Sequence, residues 1–199
     1  MPDSVSFPTS APAADVPLDK AYRLLNHGPT VLVSSAYGGR RNVMAAAWAM
    51  PLDFDPPKVL VVIDKATLTR ELVGASGEFV LNIPCRAQAS MTLAVGSRSG
   101  RDGDKFDALA IPALPSRRVA APRVGGCLGW LECRVIPEAR NESAYDLFIG
   151  QVIDAQADPA VFADGRWQAA AADRRSLHYI AGGQFFVTGE MIDAGENTP

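Results

Sequence analysis

Short apolar runs separated by turn residues set the pattern of this chain. Residues 30–35 (TVLVSS), 59–63 (VLVVI) and 78–83 (EFVLNI) are apolar and rich in β-branched or aromatic residues, as strands are. Residues 42–50 (NVMAAAWAM) read as one further strand, built largely from alanine. Turn signals lie between them at Tyr37-Gly38-Gly39, residues 53–57 and residues 74–77. In residues 130–136 Leu131, Cys133 and Val135 alternate with Glu132 and Arg134, which predicts an antiparallel strand whose charged face meets water. Residues 146–154, 177–180 and 184–188 complete the strands. Helical signals are fewer. One helix starts at Leu18 or Asp19 and stops at Asn26-His27-Gly28-Pro29, where Gly and Pro break it. Residues 67–73 and 86–95 read as two more, and a helical turn is predicted near residues 104–109 within a long Gly- and Pro-rich stretch over 97–126. Alternation of strand and helix ceases after the first third. The pattern therefore predicts a mainly β protein, an antiparallel barrel with a few peripheral helices, rather than a doubly wound sheet.

The length of 199 residues sets one domain, placed at residues 18–192. Residues 1–17, rich in Pro, Ala and Ser, read as a flexible arm, and residues 193–199 as a polar tail. A net charge of −3 without blocks of like charge argues against nucleic-acid binding through phosphate neutralisation and against a polybasic membrane module. No run approaches the length of a membrane span, and the N-terminal segment has no apolar core of a signal peptide, so the sequence predicts a cytoplasmic protein. Cys85, Cys127 and Cys133 lack metal-clip spacing and read as free thiols, with Cys133 in the core.

The chain has only 2 histidines, which leaves little room for metal clusters or relays of acid–base groups. Hard chemistry in such a protein falls to a borrowed cofactor. The sequence contains no GxGxxG, no P-loop, no GxSxG elbow and no HExxH. His27 and His178 stand in contexts that do not suggest a catalytic triad.

Three ordered segments carry a different signal. The first is Asn42-Val43-Met44-Ala45-Ala46-Ala47-Trp48, followed by Pro51-Leu52-Asp53-Phe54-Asp55-Pro56-Pro57. The second is Asp64-Lys65-Ala66-Thr67-Leu68-Thr69-Arg70-Glu71-Leu72, running into Gly77-Glu78-Phe79-Val80-Leu81-Asn82. The third is Ser99-Gly100-Arg101-Asp102-Gly103-Asp104-Lys105-Phe106. In order and spacing these resemble the flavin reductase-like, FMN-binding split-barrel family, which includes flavoredoxins and the reductase components of two-component flavin monooxygenases. Leu131-Glu132-Cys133-Arg134-Val135 and Phe148-Ile149-Gly150 fit the same pattern, so the resemblance covers roughly residues 20–190.

The resemblance implies a Greek-key split barrel that binds FMN and takes hydride from NADH or NADPH. It implies cofactor contacts at Asn42, Ala46, Ala47, Trp48, Thr67, Thr69 and Lys105, and a homodimer that completes the site. The reduced flavin would serve a monooxygenase or other electron-accepting partner. A flavoredoxin-like carrier with little NAD(P)H activity and a non-catalytic split-barrel binding protein are the alternatives. The residues suit such a ligand. Small side chains at 45–47 let a strand approach a flat ring, and a helix starting at Thr67, with Thr69 and Arg70, offers donors to a phosphate. Read locally, the same residues also suit a tightly packed strand with Trp48 as anchor, a plain helix cap, and a surface lysine paired with Asp102 or Asp104. Tyr145 stands where relatives often carry a histidine. His178 is a candidate nicotinamide contact, with a structural role as the alternative; His27 reads as a capping or surface residue.

Overall fold

The computed structural model describes residues 13–194. In chain order its first strands are β1 (Ala14–Asp15), β2 (Val31–Tyr37), β3 (Arg40–Ala46), β4 (Ala49–Phe54), β5 (Pro57–Val62) and β6 (Glu78–Ile83). The short β7 (Ala113–Leu114) and β8 (Arg123–Val124) pair with each other, and β9 (Gly129–Ile136) and β10 (Leu147–Ala157) return to the main sheet. Two hairpins follow, β11 (Phe162–Ala163) with β12 (Arg166–Trp167) and β13 (Leu177–Ala181) with β14 (Gln184–Val187). The helices are α1 (Leu68–Ser76), α2 (Ala89–Ser97), α3 (Lys105–Ala108) and α4 (Ala139–Tyr145), with a 3-10 helix at Leu18–Leu24.

The main sheet is antiparallel throughout, in the order β3-β2-β6-β9-β10-β5-β4, with β1 added to β10. Its two ends are consecutive in sequence: only Ala47 and Trp48 separate β3 from β4. Laid flat, six strand spacings would part these edges by roughly 29 Å. Three extended residue steps span no more than roughly 11 Å. The sheet must therefore curl until its edges nearly meet, and the mainly β split barrel expected from the sequence is the result. The seam of the barrel lies at Ala47–Trp48.

Alternation along the strands builds two cores. Val31, Val33, Phe79, Leu81, Leu131 and Cys133 point inward, joined by Leu24 and Leu25 of the 3-10 helix. Leu32, Val43, Val80 and Trp130 point outward and are covered by Met91, Val95 and Phe106 from α2 and α3. Outside the barrel α1 packs on β2 and β3, and α2 on β3.

Local chemistry explains the element ends. Thr67 caps α1, its hydroxyl accepting from Arg70 N at 3.2 Å. The helix stops at Gly77, left-handed with φ 69°, whose N–H donates to Val73 O.

Several expectations need correction. Residues 42–50 form two strands, because the chain must turn across the seam. The first helix is 3-10 rather than α, and the stretch over 97–126 contains the small β7–β8 ladder. Helix α4 gave no clear periodic signal. Glu132 is 1% exposed, since the loop after β7 covers it and donates Arg117 N and Arg118 N to its carboxylate. Residues 1–12 and 195–199 of the expected arm and tail lie outside the described residues. The described end of that arm pairs with Gln156 and Ala157 of β10. Among the described residues no helix is long and apolar enough to cross a membrane.

Candidate functional site

At the seam lies a cavity of about 550 Å³. One wall is the end of β3 and the link, Met44 through Trp48; the facing wall is the later half of α2, with Thr92, Leu93, Gly96 and Ser97. Val62 and Asp64 bring in the approach to α1, Tyr145 and Asp146 the end of α4, and Tyr179 and Phe185 the β13–β14 hairpin. The volume falls within the range of small-molecule sites. Four of the lining side chains are aromatic, and the alanines keep the strand wall flat.

Each wall is held by identifiable contacts. A Cβ on Gly96 would stand 3.3 Å from Ala45 Cβ, so glycine permits α2 to approach β3 this closely. Thr30 ties the hairpin to the barrel: its N–H donates to Leu177 O at 2.7 Å and its hydroxyl accepts from Tyr179 N at 2.8 Å. Tyr179 and Phe185 meet edge to face with ring centroids 5.4 Å apart. Asp146, left-handed with φ 54°, ends α4 and accepts through its backbone O from Ile63 N. Arg70 fixes that corner. Its guanidinium donates to Glu142 O, Ile63 O and Asp146 Oδ1, and lies 4.4 Å from the Phe148 ring centroid.

The candidate residues fall into four groups. Ala46, Ala47 and Trp48 line the cavity, Trp48 being 74% exposed at its mouth. Asn42 and Thr69 are buried, do not line the cavity, and are joined, Asn42 Nδ2 donating to Thr69 Oγ1 at 2.9 Å. A Cβ on Gly100 would lie 2.3 Å from Asn42 Oδ1, which is why the third segment carries glycine there. Thr67 caps α1 and donates its hydroxyl to Asp64 O at the cavity rim. Lys105, expected as a flavin contact or a surface lysine, is 5% exposed. Its ammonium donates to Val43 O at 2.9 Å and Val95 O at 2.7 Å, and burial pushes its pKa down to about 8.

The fork of Arg70, expected near a phosphate, is instead engaged by the α4 corner. His178 is turned from the cavity lining, with Nδ1 3.0 Å from Gly28 O and its ring edge-on to His27. His27 is no simple cap: it packs against Trp167 and bonds Ser176 Oγ at 2.9 Å. Tyr145 does line the cavity. Sequence reasoning missed Thr92, Ser97, Tyr179 and Phe185. No motif marks them, because only the curl of the sheet and the hairpin's return bring them to the seam.

All three cysteines are buried, and burial raises the Cys127 and Cys133 thiols well above their usual range. Thiolate chemistry has no foothold there. What the cavity offers is a shaped apolar slot with a few polar groups. The Thr92 hydroxyl, buried in the α2 wall, and Asn42 Oδ1 have no hydrogen-bond partner among the described residues.

Comparison with known proteins agrees with this geometry. An uncharacterized protein of Escherichia coli K12 (YddH) is 45% identical over 183 residues, covering 90% of this chain and 97% of that protein. The crystal structure of an FMN-binding domain of a flavin reductases-like enzyme from Shewanella baltica OS155 is 51% identical, with TM-score 0.90 over 93% of this chain and 98% of the other. Flavoredoxin of Desulfovibrio vulgaris (Miyazaki F) is 26% identical, with TM-score 0.74 over 99% and 98% of the two chains. Residues 23–181 match the flavin reductase like domain, and the chain belongs to that family.

Proposed function

We propose that the seam cavity binds FMN and that the protein is a flavin reductase-type oxidoreductase using NADH or NADPH. The observation that carries this reading is the flat alanine wall of Ala45–Ala47, ringed by Trp48, Tyr145, Tyr179 and Phe185. A planar ring with polar edges fits such a slot, and the unpartnered Thr92 hydroxyl is a hydrogen-bond group for its rim. The Asp64–Thr67 loop leads from the cavity rim into the N-terminal turn of α1, whose N–H groups suit a phosphate. FMN, when bound, would supply the two-electron acceptor for hydride from the nicotinamide. The alanine wall and the ringing aromatics would hold its flat ring, with the exposed Trp48 at the mouth. None has to act as nucleophile, which accords with the scarcity of histidine.

Apolar exposure supports a homodimer. Trp48, Met50, Leu52 and Phe54 are between 46% and 74% exposed along an edge of the sheet. A patch of this kind beside a binding site marks an interface. Replacing Met50 and Leu52 by glutamate is expected to convert a dimer to a monomer in light scattering. A wild-type monomer at micromolar concentration contradicts the dimer.

Likeness to flavoredoxin supports a second reading, an FMN electron carrier with little NAD(P)H turnover, whose acceptor would be a monooxygenase or another redox partner. Following nicotinamide oxidation at 340 nm with added FMN separates the two. Multiple turnovers with free flavin support the reductase. One slow reduction of tightly held FMN supports the carrier. A protein that fails to bind FMN removes both.

A further inference from the structure

We infer that Lys105 is a positioning residue, a buried ammonium that clamps the two walls of the cavity together by their backbone carbonyls. The inference rests on reading this cavity as the flavin site, but its geometry stands without a ligand. Val43 precedes the cavity-lining part of β3 by one residue, and Val95 precedes Gly96 of α2 by one. Lys105 Nζ donates to both carbonyls, so a single charged group joins strand wall to helix wall. Next to these carbonyls the walls touch at Gly96 and Ala45.

The clamp also answers a need of α2. This helix ends at Arg98 in extended conformation, without a left-handed cap, and carries no basic residue in its last turn. Its final carbonyls require donors from elsewhere, and a cation there also opposes the helix dipole. Lys105 supplies both from a separate element. No carboxylate bonds the ammonium among the described residues. Asp104 and Asp107 beside it are held by Arg41 of β3, Glu71 of α1 by Arg40 and Arg101, and α2 has no charged side chain. Two of the three N–H donors are thus engaged by main chain that shapes the slot. A lysine whose main task was to hold the phosphate would not need both walls.

Amide hydrogen exchange on the flavin-free protein tests this. In Lys105→Met, protection is expected to fall about tenfold at Met44, Ala45, Gly96 and Ser97, while the β9–β10 amides keep theirs. Affinities for FMN and riboflavin should fall by the same factor. Unchanged exchange at both walls, with FMN weakened more than riboflavin, overturns the clamp and makes Lys105 a phosphate contact. If the variant fails to fold, NMR titration of the Lys105 ammonium in the flavin-free wild type decides. A midpoint near 8 is expected; an ordinary midpoint near ~10.4 overturns the proposal. Because amide exchange and the ammonium titration need no flavin, the clamp can hold even if wild-type protein binds no FMN, an outcome that counts only against the flavin reading.

Discussion

Single residues in this protein take their roles from burial more than from type. His27 is the clearest case. Desolvation, then the neighbouring His178, pushes its pKa down to about 4 from an ordinary 6.5. The folded state therefore binds fewer protons than the unfolded chain between those values, and stability falls as pH drops through that window. The full loss is about 3 kcal/mol. In urea titrations at pH 7 and pH 5 the wild type should lose much of this, whereas His27→Gln, which keeps a side-chain hydrogen-bonding group for Ser176, should show a flatter pH dependence. Equal slopes for the two proteins would show that His27 is not the group responsible. Burial is also what composition conceals. Lys105 follows Asp102, Gly103 and Asp104 and looks like a surface lysine, and Glu132 sits in a strand whose alternation points it to solvent. Both are covered by segments distant in sequence, so no local pattern records their environment. Asn42 and Gly100, by contrast, were legible as a pair of motifs, although their contact was not.

At the level of elements, strand β6 could be read to the residue, because an apolar run bounded by Gly77 and Pro84 leaves no latitude. The break between β3 and β4 could not. Ala45, Ala46, Ala47 and Trp48 continue the apolar run, and only closure of the sheet forces the turn. Glycines within elements are more informative than those in turns. Gly150 on β10 faces the ring of the fully buried Phe79, and an added Cβ would lie 2.5 Å from its Cζ and 3.1 Å from Cys133 Cβ. Both neighbours are packed in the inner core, so neither can give way cheaply. Gly150→Ala is expected to cost about 1–3 kcal/mol and to lower Tm by roughly 5 °C. An unchanged melting curve would mean that the inner core around Phe79 and Cys133 gives way freely to an added methyl, contrary to the close approach seen here.

For the whole molecule, the sheet topology creates the site. Seven strands joined end to end by two residues leave one seam, and the helices, the α4 corner and the hairpin converge on it. This explains why the candidate residues are scattered from position 42 to position 185 yet line or support one slot. It also explains why the strand wall and its motifs were readable while the hairpin's Tyr179 and Phe185 were not, since their place depends on a long-range return of the chain. This slot is proposed to receive flavin. Equilibrium titration with FMN, followed by flavin absorbance and fluorescence, tests it most directly on the wild type and on Ala47→Trp. Ala47 is exposed at the seam, so the larger ring fills the slot without entering the core. Saturable binding near one FMN per chain is expected in the wild type, weakened at least about tenfold by Ala47→Trp with the fold unchanged. Absence of binding in the wild type, or equal binding by the two proteins, would contradict it.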